Sequence, residues 1–366
     1  MKKLVHIAFT TLALGTASHA APFLAIGDGA ELFVTGTLGV RSDDNIFASN
    51  TAISDTIFDI NPGVEVTFGK DAALKGALTL VDAFANYSDN SNLNTNLFTG
   101  DFRASYDDAK LKLKFNTGFH ELNQNSVDIR GLTRRDQFVV GTDAEVEISQ
   151  ITAISAGVKF THDNYKRTGY GDSDDLTVPV DVYYKITPKV DLSAGYRYRS
   201  YETTVGLDST DHYFNVGARG SFTPKLTGQF TAGINTRELS NGNDETLPGF
   251  DAKLTYELTP KTSLQFGGSN DYGTSPQGDQ QKNLAFNASV STNVDDQWSL
   301  NAGLSSRSIE YAARTDDFIE GNLGVNYILN AYVKIAATYT YRNNSSVLAS
   351  GEFSNNVFSL SASLRY

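Results

Sequence analysis

The segment Val190-Asp-Leu-Ser-Ala-Gly-Tyr-Arg-Tyr-Arg199 alternates strictly between two kinds of side chain. Its even-numbered positions hold Val, Leu, Ala, Tyr and Tyr, whereas its odd-numbered positions hold Asp, Ser, Gly, Arg and Arg. Successive side chains of a β-strand point to opposite faces, so this segment predicts a strand with one apolar and one charged face. The same alternation continues from residue 31 to residue 366, and no segment there has the pattern of a helix. It predicts an all-β fold whose sheet closes on itself.

A tripeptide repeat supports this architecture. Thr-Pro-Lys occurs at residues 187–189, 223–225 and 259–261, with a spacing of 36 residues. Proline suits a tight turn because its φ angle is fixed and it has no N–H to contribute to a ladder. A β-propeller is the main alternative for a repeat of this length, but each of its blades has four short strands. Two long strands in each repeat instead favour the hairpins of a barrel.

The turns divide the chain into about eighteen predicted strands. Most reach the roughly 9–11 residues that a tilted strand needs to cross a bilayer. Short turns alternate with longer polar loops, as in bacterial barrels with periplasmic turns and external loops. We therefore predict a closed antiparallel transmembrane β-barrel with strands near residues 31–42, 55–69, 72–87, 96–106, 109–120, 135–148, 151–165, 176–186, 190–203, 211–222, 226–240, 248–258, 262–274, 282–293, 297–312, 316–329, 331–346 and 353–366.

The N-terminus predicts export. Lys2 and Lys3 precede a short apolar stretch, and Ser18-His19-Ala20 has small residues where a signal peptidase requires them. We predict a signal peptide at residues 1–20, a short periplasmic lead at 21–30 and the barrel at 31–366. Alternation alone would also fit a soluble sandwich. The signal peptide, the loop asymmetry and the aromatic end of the last strand, Tyr366, favour the outer membrane, with lipid and the barrel-assembly machinery as partners.

Composition limits the possible functions. The chain has no cysteine and a net charge of −12, which excludes a disulfide framework and argues against a nucleic-acid partner. The histidines after the signal peptide, His120, His162 and His212, lie on separate predicted hairpins. We therefore expect no enzymatic activity, no catalytic residues, no cofactor and no metal site.

The charged face should line the lumen, because a barrel of 16–18 strands leaves an aqueous channel. Two interpretations of these charges stay open. Arg197, Arg199 and Arg219 could form a basic patch that binds an anionic or hydroxyl-rich solute, opposite an acidic stripe on the sixth strand. Alternatively, the charges pair with one another and keep the wall hydrated. The candidate pore-lining residues are Lys112, Lys114, Asp143, Glu145, Glu147, Arg197, Arg199, Arg219, Lys334 and Arg342.

Two segments near the start of the barrel carry a family resemblance. Leu38-Gly-Val-Arg-Ser-Asp-Asp-Asn-Ile-Phe47 and Ile60-Asn-Pro-Gly-Val-Glu-Val-Thr-Phe-Gly69 resemble the opening of the putative β-barrel porin 2 family. The resemblance implies an outer-membrane barrel and, as an alternative role, export of exopolysaccharide, to which some members are linked. It supplies no catalytic residues. The role of Asp43-Asp44-Asn45 should be structural, because Asp and Asn side chains bond their own backbone at turns.

Three functions therefore remain open from the sequence. The first is a porin-like channel for small hydrophilic solutes, and the second is a conduit for exopolysaccharide that works with periplasmic partners. The third, a structural barrel with a closed lumen, is disfavoured because the predicted external loops are short.

We predict that the mature protein begins at Ala21 and resides in the outer membrane. Mass spectrometry of the purified protein should give the mass of residues 21–366, and the unheated sample should migrate anomalously on a denaturing gel, as folded barrels do. Recovery of the protein from the soluble periplasmic fraction would contradict this prediction.

Overall fold

The computed structural model describes residues 21–27, 29–129 and 131–366. Within them, the regular secondary structure consists of nineteen strands and one short 3₁₀ turn. The strands are β1 (Leu24–Ile26), β2 (Ala30–Asp43), β3 (Asp55–Phe68), β4 (Leu74–Tyr87), β5 (Thr95–Asp107), β6 (Leu111–Gln124), β7 (Thr133–Glu147), β8 (Thr152–Tyr165), β9 (Ser173–Thr187), β10 (Val190–Thr203), β11 (Ser209–Ser221), β12 (Leu226–Leu239), β13 (Asp244–Thr259), β14 (Thr262–Thr274), β15 (Gln280–Asn293), β16 (Trp298–Glu310), β17 (Thr315–Ile328), β18 (Val333–Ser346) and β19 (Phe353–Arg365).

The sheet is a closed antiparallel barrel of eighteen strands, β2 to β19. Each strand pairs with its neighbours in sequence, and β19 pairs with β2 over nine residues, from Val357↔Asp43 to Arg365↔Thr35. The three residues of β1 pair with β2 just beyond the end of β19, so β1 continues the pairing along that side of β2. The predicted fold class is therefore confirmed. The predicted lead at 21–30 contains the additional strand β1, whereas the predicted signal peptide lies outside the described residues.

The two ends of the barrel differ. At one end, which we call the turn end, the connections are two to five residues long; at the other, the loop end, they are four to eleven residues long. The three Thr-Pro-Lys segments all lie at the turn end. In each, the Thr Oγ1 accepts a hydrogen bond of 3.2–3.3 Å from the Lys amide two residues later. The repeat seen in the sequence is thus one side-chain-capped turn used three times.

The two faces of the wall have the predicted chemistry. Leu192, Phe214 and Val216 are 46%, 63% and 65% exposed on the outside, where lipid would cover them. Arg197 and Arg199, out of phase with these residues, are each 6% exposed and face the interior. An apolar exterior around a closed sheet is the arrangement that hydrocarbon requires, because the backbone polar groups then find their partners within the sheet. Across residues 21–27, 29–129 and 131–366, no helix is long and apolar enough to cross a membrane.

Three prolines inside strands interrupt the ladder on one side. Next to Pro62 the β3–β4 pairing skips from Ile60 to Gly63 and then resumes. Next to Pro179 the β8–β9 pairing also resumes within a few residues. At Pro248 the β13–β14 pairing stops at Phe250↔Asn270 and does not resume toward the loop end. The sequence predicted β13 to begin at 248, but it begins at Asp244, so Pro248 lies inside the strand.

The Asp43-Asp44-Asn45 segment joins the first and last barrel strands. The Asp43 carboxylate accepts a hydrogen bond of 2.9 Å from the Asn45 amide, which is the predicted turn. The same oxygen accepts a bond of 2.6 Å from Asn355 of β19, and Asp44 accepts bonds of 2.6 and 2.7 Å from Asn356. These contacts continue the β2–β19 seam above its last paired residues.

We predict that Asn355→Ala weakens this seam. Asn355 is fully buried, so its loss leaves the Asp43 carboxylate short of a donor, at a cost of about 1–3 kcal/mol. The temperature at which the barrel loses its anomalous gel mobility should fall. Asn356→Ala, which removes the more exposed partner of Asp44, should lower that temperature less. An equal effect of the two substitutions would contradict the prediction.

Candidate functional site

The barrel encloses a cavity of about 1130 Å³ on the side of strands β4 to β12. Residues at the turn end of this wall, such as Lys75 and Ser105, line it. At the loop end its lining includes Ser126, Asp128 and Ile129, which follow β6, and Thr274, Pro276 and Gln281, around the connection between β14 and β15. The cavity therefore extends along the lumen and is bounded at the loop end by two segments that leave the wall.

The first of these segments, residues 125–129, is the inward loop. It leaves the wall after β6 and reaches β16, which lies half-way around the barrel. There the Asp128 carboxylate accepts bonds of 2.7 and 3.0 Å from the Arg307 guanidinium. Asn125 donates to the Ile46 carbonyl at 2.7 Å and accepts from Arg342 at 3.2 Å. The inward loop thus spans the lumen at the loop end.

The second segment, residues 271–281, is the hairpin tip formed by the ends of β14 and β15. It bends toward the loops that follow β8 and β10. The Pro276 carbonyl accepts from the Gly171 amide at 2.8 Å, and the Gln280 side chain donates to the Leu207 carbonyl at 3.1 Å. Gln281 donates to Asp128 at 3.3 Å and to the Tyr311 hydroxyl at 3.1 Å. The hairpin tip and the inward loop therefore meet each other across the lumen.

A small apolar cluster packs beneath these segments. It consists of Ala48 from the first loop, Val127 from the inward loop, and Ile309, Tyr311, Phe318 and Phe353 from the loop end of β16 to β19. Burial of such side chains stabilises by roughly 1.5–3 kcal/mol each relative to exposure, so it can hold a short loop inside a hydrated lumen. This cluster explains why the inward loop stays away from the wall although it is short.

Arg219 forms an ion pair across the lumen. Its guanidinium donates to both Glu145 oxygens, at 2.6 and 3.0 Å, and to Asp191 at 3.0 Å. Glu145 lies on β7 and Arg219 on β11, four strands away and about 19 Å along the sheet at normal strand spacing. Two side chains can meet over this distance only if the wall curves inward between them. The Tyr183 ring lies 3.4 Å below the guanidinium and completes the contact.

A second charged network holds the hairpin tip. Arg197 donates to both oxygens of Asp271 at 2.8 Å, although β10 and β14 are also four strands apart. Asp211, which is 1% exposed, accepts hydrogen bonds from Arg199 and, at 2.6 and 2.9 Å, from Arg237. The two arginines in turn donate to backbone carbonyls of β14. A buried network of this kind is stable only while each charge keeps its partner.

The structure separates the predicted pore-lining residues into groups. Lys114, Asp143, Arg197 and Arg219 line the cavity. Lys112, Glu145 and Glu147 have the same lumen-facing phase at the turn end of β6 and β7. On β18, Lys334 lies near the turn end, and Arg342 lies at the loop end, where it donates to Asn355 at 2.9 Å. Arg199 is buried against Asp211.

The three arginines do not form one open basic patch. Arg197 is paired with Asp271, Arg199 with Asp211, and Arg219 with Glu145 and Asp191. This pairing supports the interpretation in which lumen charges neutralise one another. No pattern in the sequence indicated Asp271 or Asp128 as partners, because both come from segments that leave the wall. It also missed Lys75 and Arg103, two exposed cations of the cavity wall.

Comparison with known proteins adds a family. Residues 199–366 match the sequence model of the family described as putative beta-barrel porin 2, and no curated protein sequence matches the chain. Among solved structures, the chain is similar to the outer membrane protein OpdK from Pseudomonas aeruginosa, with 10% identity and a TM-score of 0.49 over 93% of this chain and 99% of that one. It is also similar to OccK11 (OpdR) from the same organism, with 11% identity and a TM-score of 0.48 over 92% and 96% of the two chains.

A third similar structure is OccAB2 from Acinetobacter baumannii, with 9% identity and a TM-score of 0.49 over 92% of this chain and 98% of that one. The family match covers the second half of the barrel, from the end of β10 to the C-terminus, whereas the resemblance in the sequence was found near the N-terminus. Together with the closed sheet and its apolar exterior, the match of residues 199–366 confirms the family that the sequence suggested. Residues 199–366 therefore belong to the putative beta-barrel porin 2 family, and the chain is a porin-type β-barrel of the bacterial outer membrane.

Proposed function

We propose that this barrel is a channel through which small hydrophilic solutes cross the outer membrane. The observation that carries the proposal is the cavity of about 1130 Å³ with charged, hydroxyl and amide side chains along its wall. Such a wall keeps water in the lumen, whereas an eighteen-stranded sheet is too wide for side chains alone to fill. The loop end is taken as the external side, because short turns face the periplasm in bacterial barrels.

The inward loop and the hairpin tip meet across the passage at the loop end. The contacts of Gln281 and Arg307 with Asp128 lie at this crossing. A solute that enters from outside has to pass beside these segments before it reaches the wider cavity. The arrangement favours solutes of low molecular mass over polymers.

The charges available to a solute are those that do not take part in ion pairs. Lys75, Arg103 and Lys114 are exposed and form no salt bridge within the described part of the chain, although Asp143 lies opposite Lys114 in the ladder and Asp101 lies two residues from Arg103 on the same face. The ladder register places Ser105 between Lys75 and Lys114, and Arg103 two residues earlier on the same face. Opposed residues on neighbouring strands lie about 5 Å apart, so the three cations surround one hydroxyl. This wall favours anionic or hydroxyl-bearing solutes.

Export of exopolysaccharide is the alternative role, and the family resemblance is its support. For that role the inward loop and the hairpin tip would have to leave the lumen, because a saccharide chain needs a continuous passage. Periplasmic partners and a polysaccharide substrate would be needed as well. A channel that conducts ions without any partner favours the first proposal.

The purified, folded protein should conduct ions in planar lipid bilayers. Discrete and stable current steps are expected, because the polar cavity holds a continuous water column once solutes can pass this crossing of the inward loop and the hairpin tip. The anomalous gel mobility of the same sample verifies that the barrel is folded. A folded barrel without conductance above background would contradict the channel.

Selectivity should depend on the exposed cations rather than on the paired arginines. The double variant Lys75→Gln/Lys114→Gln should move the reversal potential toward cations in 0.1 M salt, where screening extends over about 10 Å, and much less in 1 M salt. Arg219→Gln/Glu145→Gln is the matched control, because it removes one charge of each sign. Equal shifts for the two double variants would show that the exposed cations do not set the selectivity.

A further inference from the structure

The hairpin tip leaves the wall at a position set by one proline. The carbonyl oxygen of Pro248 accepts a bond of 2.7 Å from the Asn270 side chain of β14, so this edge of Pro248 faces β14. In a ladder the N–H and C=O of one residue point to the same neighbouring strand. Proline has no N–H, so the residue opposite it on β14, Tyr272, cannot form the usual pair of bonds.

Side chains replace the missing ladder bonds of Tyr272. Its carbonyl oxygen accepts from the Arg199 guanidinium at 2.9 Å, and its amide donates to the Asp271 carboxylate at 3.0 Å. The next carbonyl, that of Gly273, accepts from Arg237 at 2.8 Å. These bonds give the backbone groups of the hairpin tip hydrogen-bond partners while the tip lies away from β13. The barrel wall above Phe250↔Asn270 is thus opened on one side without leaving the backbone carbonyl and amide of Tyr272 unsatisfied.

The same side chains hold the hairpin tip over the lumen. Asp271 receives both Arg197 bonds and a third bond of 2.7 Å from Asn235. Arg237 also donates to the Gln280 side chain at 2.7 Å and stacks 4.6 Å from the Tyr272 ring. All of these donors lie on β10 and β12. The inner face of this wall therefore provides a complete set of partners for the hairpin tip.

Pro62 shows that a proline alone does not produce this arrangement. It lies inside β3, and pairing with β4 resumes one residue later. Both Pro62 and Pro248 are exposed on the outside of the barrel. The difference lies in the strand that faces each proline. Arg199 and Arg237 donate to backbone carbonyls of β14, whereas the backbone after β4 is bound by Asp55 of the neighbouring strand β3. A missing N–H and a competing set of partners are both needed to detach a strand end.

We propose that the hairpin tip, residues 271–281, is a gate of the channel with two positions. In the closed position, described above, it crosses the lumen and is held by Arg197, Arg199 and Arg237. In the open position it lies against β13 and extends the wall. Opening exchanges the charge-assisted bonds to Tyr272 and Gly273 for neutral ladder bonds to β13, while Asp211 still pairs with Arg199 and Arg237. The closed position is therefore the more populated of the two. The gate rests on the proposed channel function.

Two variants test the gate by single-channel recording in planar bilayers. The first replaces Thr274–Gln280 with Asn-Gly, a sequence suited to a two-residue hairpin turn. It keeps Gly273 opposite Gln281 and removes Pro276 and Gln280, which reach Gly171 and Leu207. The second is Pro248→Val, which restores an N–H opposite Tyr272, and Pro62→Val is its matched control. Gel mobility verifies folding of every variant.

The shortened tip should raise the single-channel conductance severalfold, and Pro248→Val should raise the fraction of time spent in the larger conductance state. Pro62→Val should behave like the unmodified protein. A shortened tip with unchanged conductance overturns the gate, even when the channel itself is confirmed. A higher conductance of the shortened variant, with no change in the time that Pro248→Val spends in the larger conductance state, overturns the two-position mechanism. A folded barrel that is silent with and without the shortened tip overturns both the gate and the channel.

Discussion

The requirement that every backbone amide and carbonyl in hydrocarbon has a partner determines this structure. It selects a closed sheet, since an open one would expose two edges to lipid. The apolar exterior, the uninterrupted order β2 to β19 and the pairing of β19 with β2 all satisfy this requirement. Where a strand cannot satisfy it, as at Pro248, side chains take over the missing bonds. Departures from the ideal barrel are therefore possible only where polar side chains are available, which means inside the lumen.

The lumen contains two kinds of charge with different physical roles. The arginines of β10 to β12 are all paired, and all but Arg219 are buried, so they position segments of the chain and contribute little net field. Lys75, Arg103 and Lys114 are exposed to the cavity, so they act on whatever enters it. In water a charge attracts solutes only while it is not neutralised nearby. The number of charges on the lumen face is thus a poor guide to selectivity, and their pairing is a better one.

Period-two alternation was sufficient to predict the strands and their two faces, and the repeat, the loop asymmetry and the N-terminal export signal were needed to predict the closed barrel. The phase of Val190–Arg199 assigned Arg197 and Arg199 to the interior, where the structure places them. The candidate site was less predictable, because Asp271 and Asp128 reach their partners across strands that are far apart in sequence. Loop length alone did not identify the segment that enters the lumen: the loop after β6 has eight residues, fewer than the eleven of the loop after β2, and it crosses the interior through packing of Val127. A proline inside an alternating strand, Pro248, was the available signal for the detached hairpin tip.

The seam between β2 and β19 has a consequence for the order of folding. The bond from Asn355 to Asp43 joins residues 312 positions apart, and bringing such distant residues together costs about 5 kcal/mol of chain entropy. All other neighbouring strands are hairpins, whose closure costs much less. The seam is therefore expected to form last, after the intervening strands have found their register. A register error in any hairpin would then prevent the seam from closing correctly, because Asp43 and Asp44 can meet Asn355 and Asn356 in only one alignment.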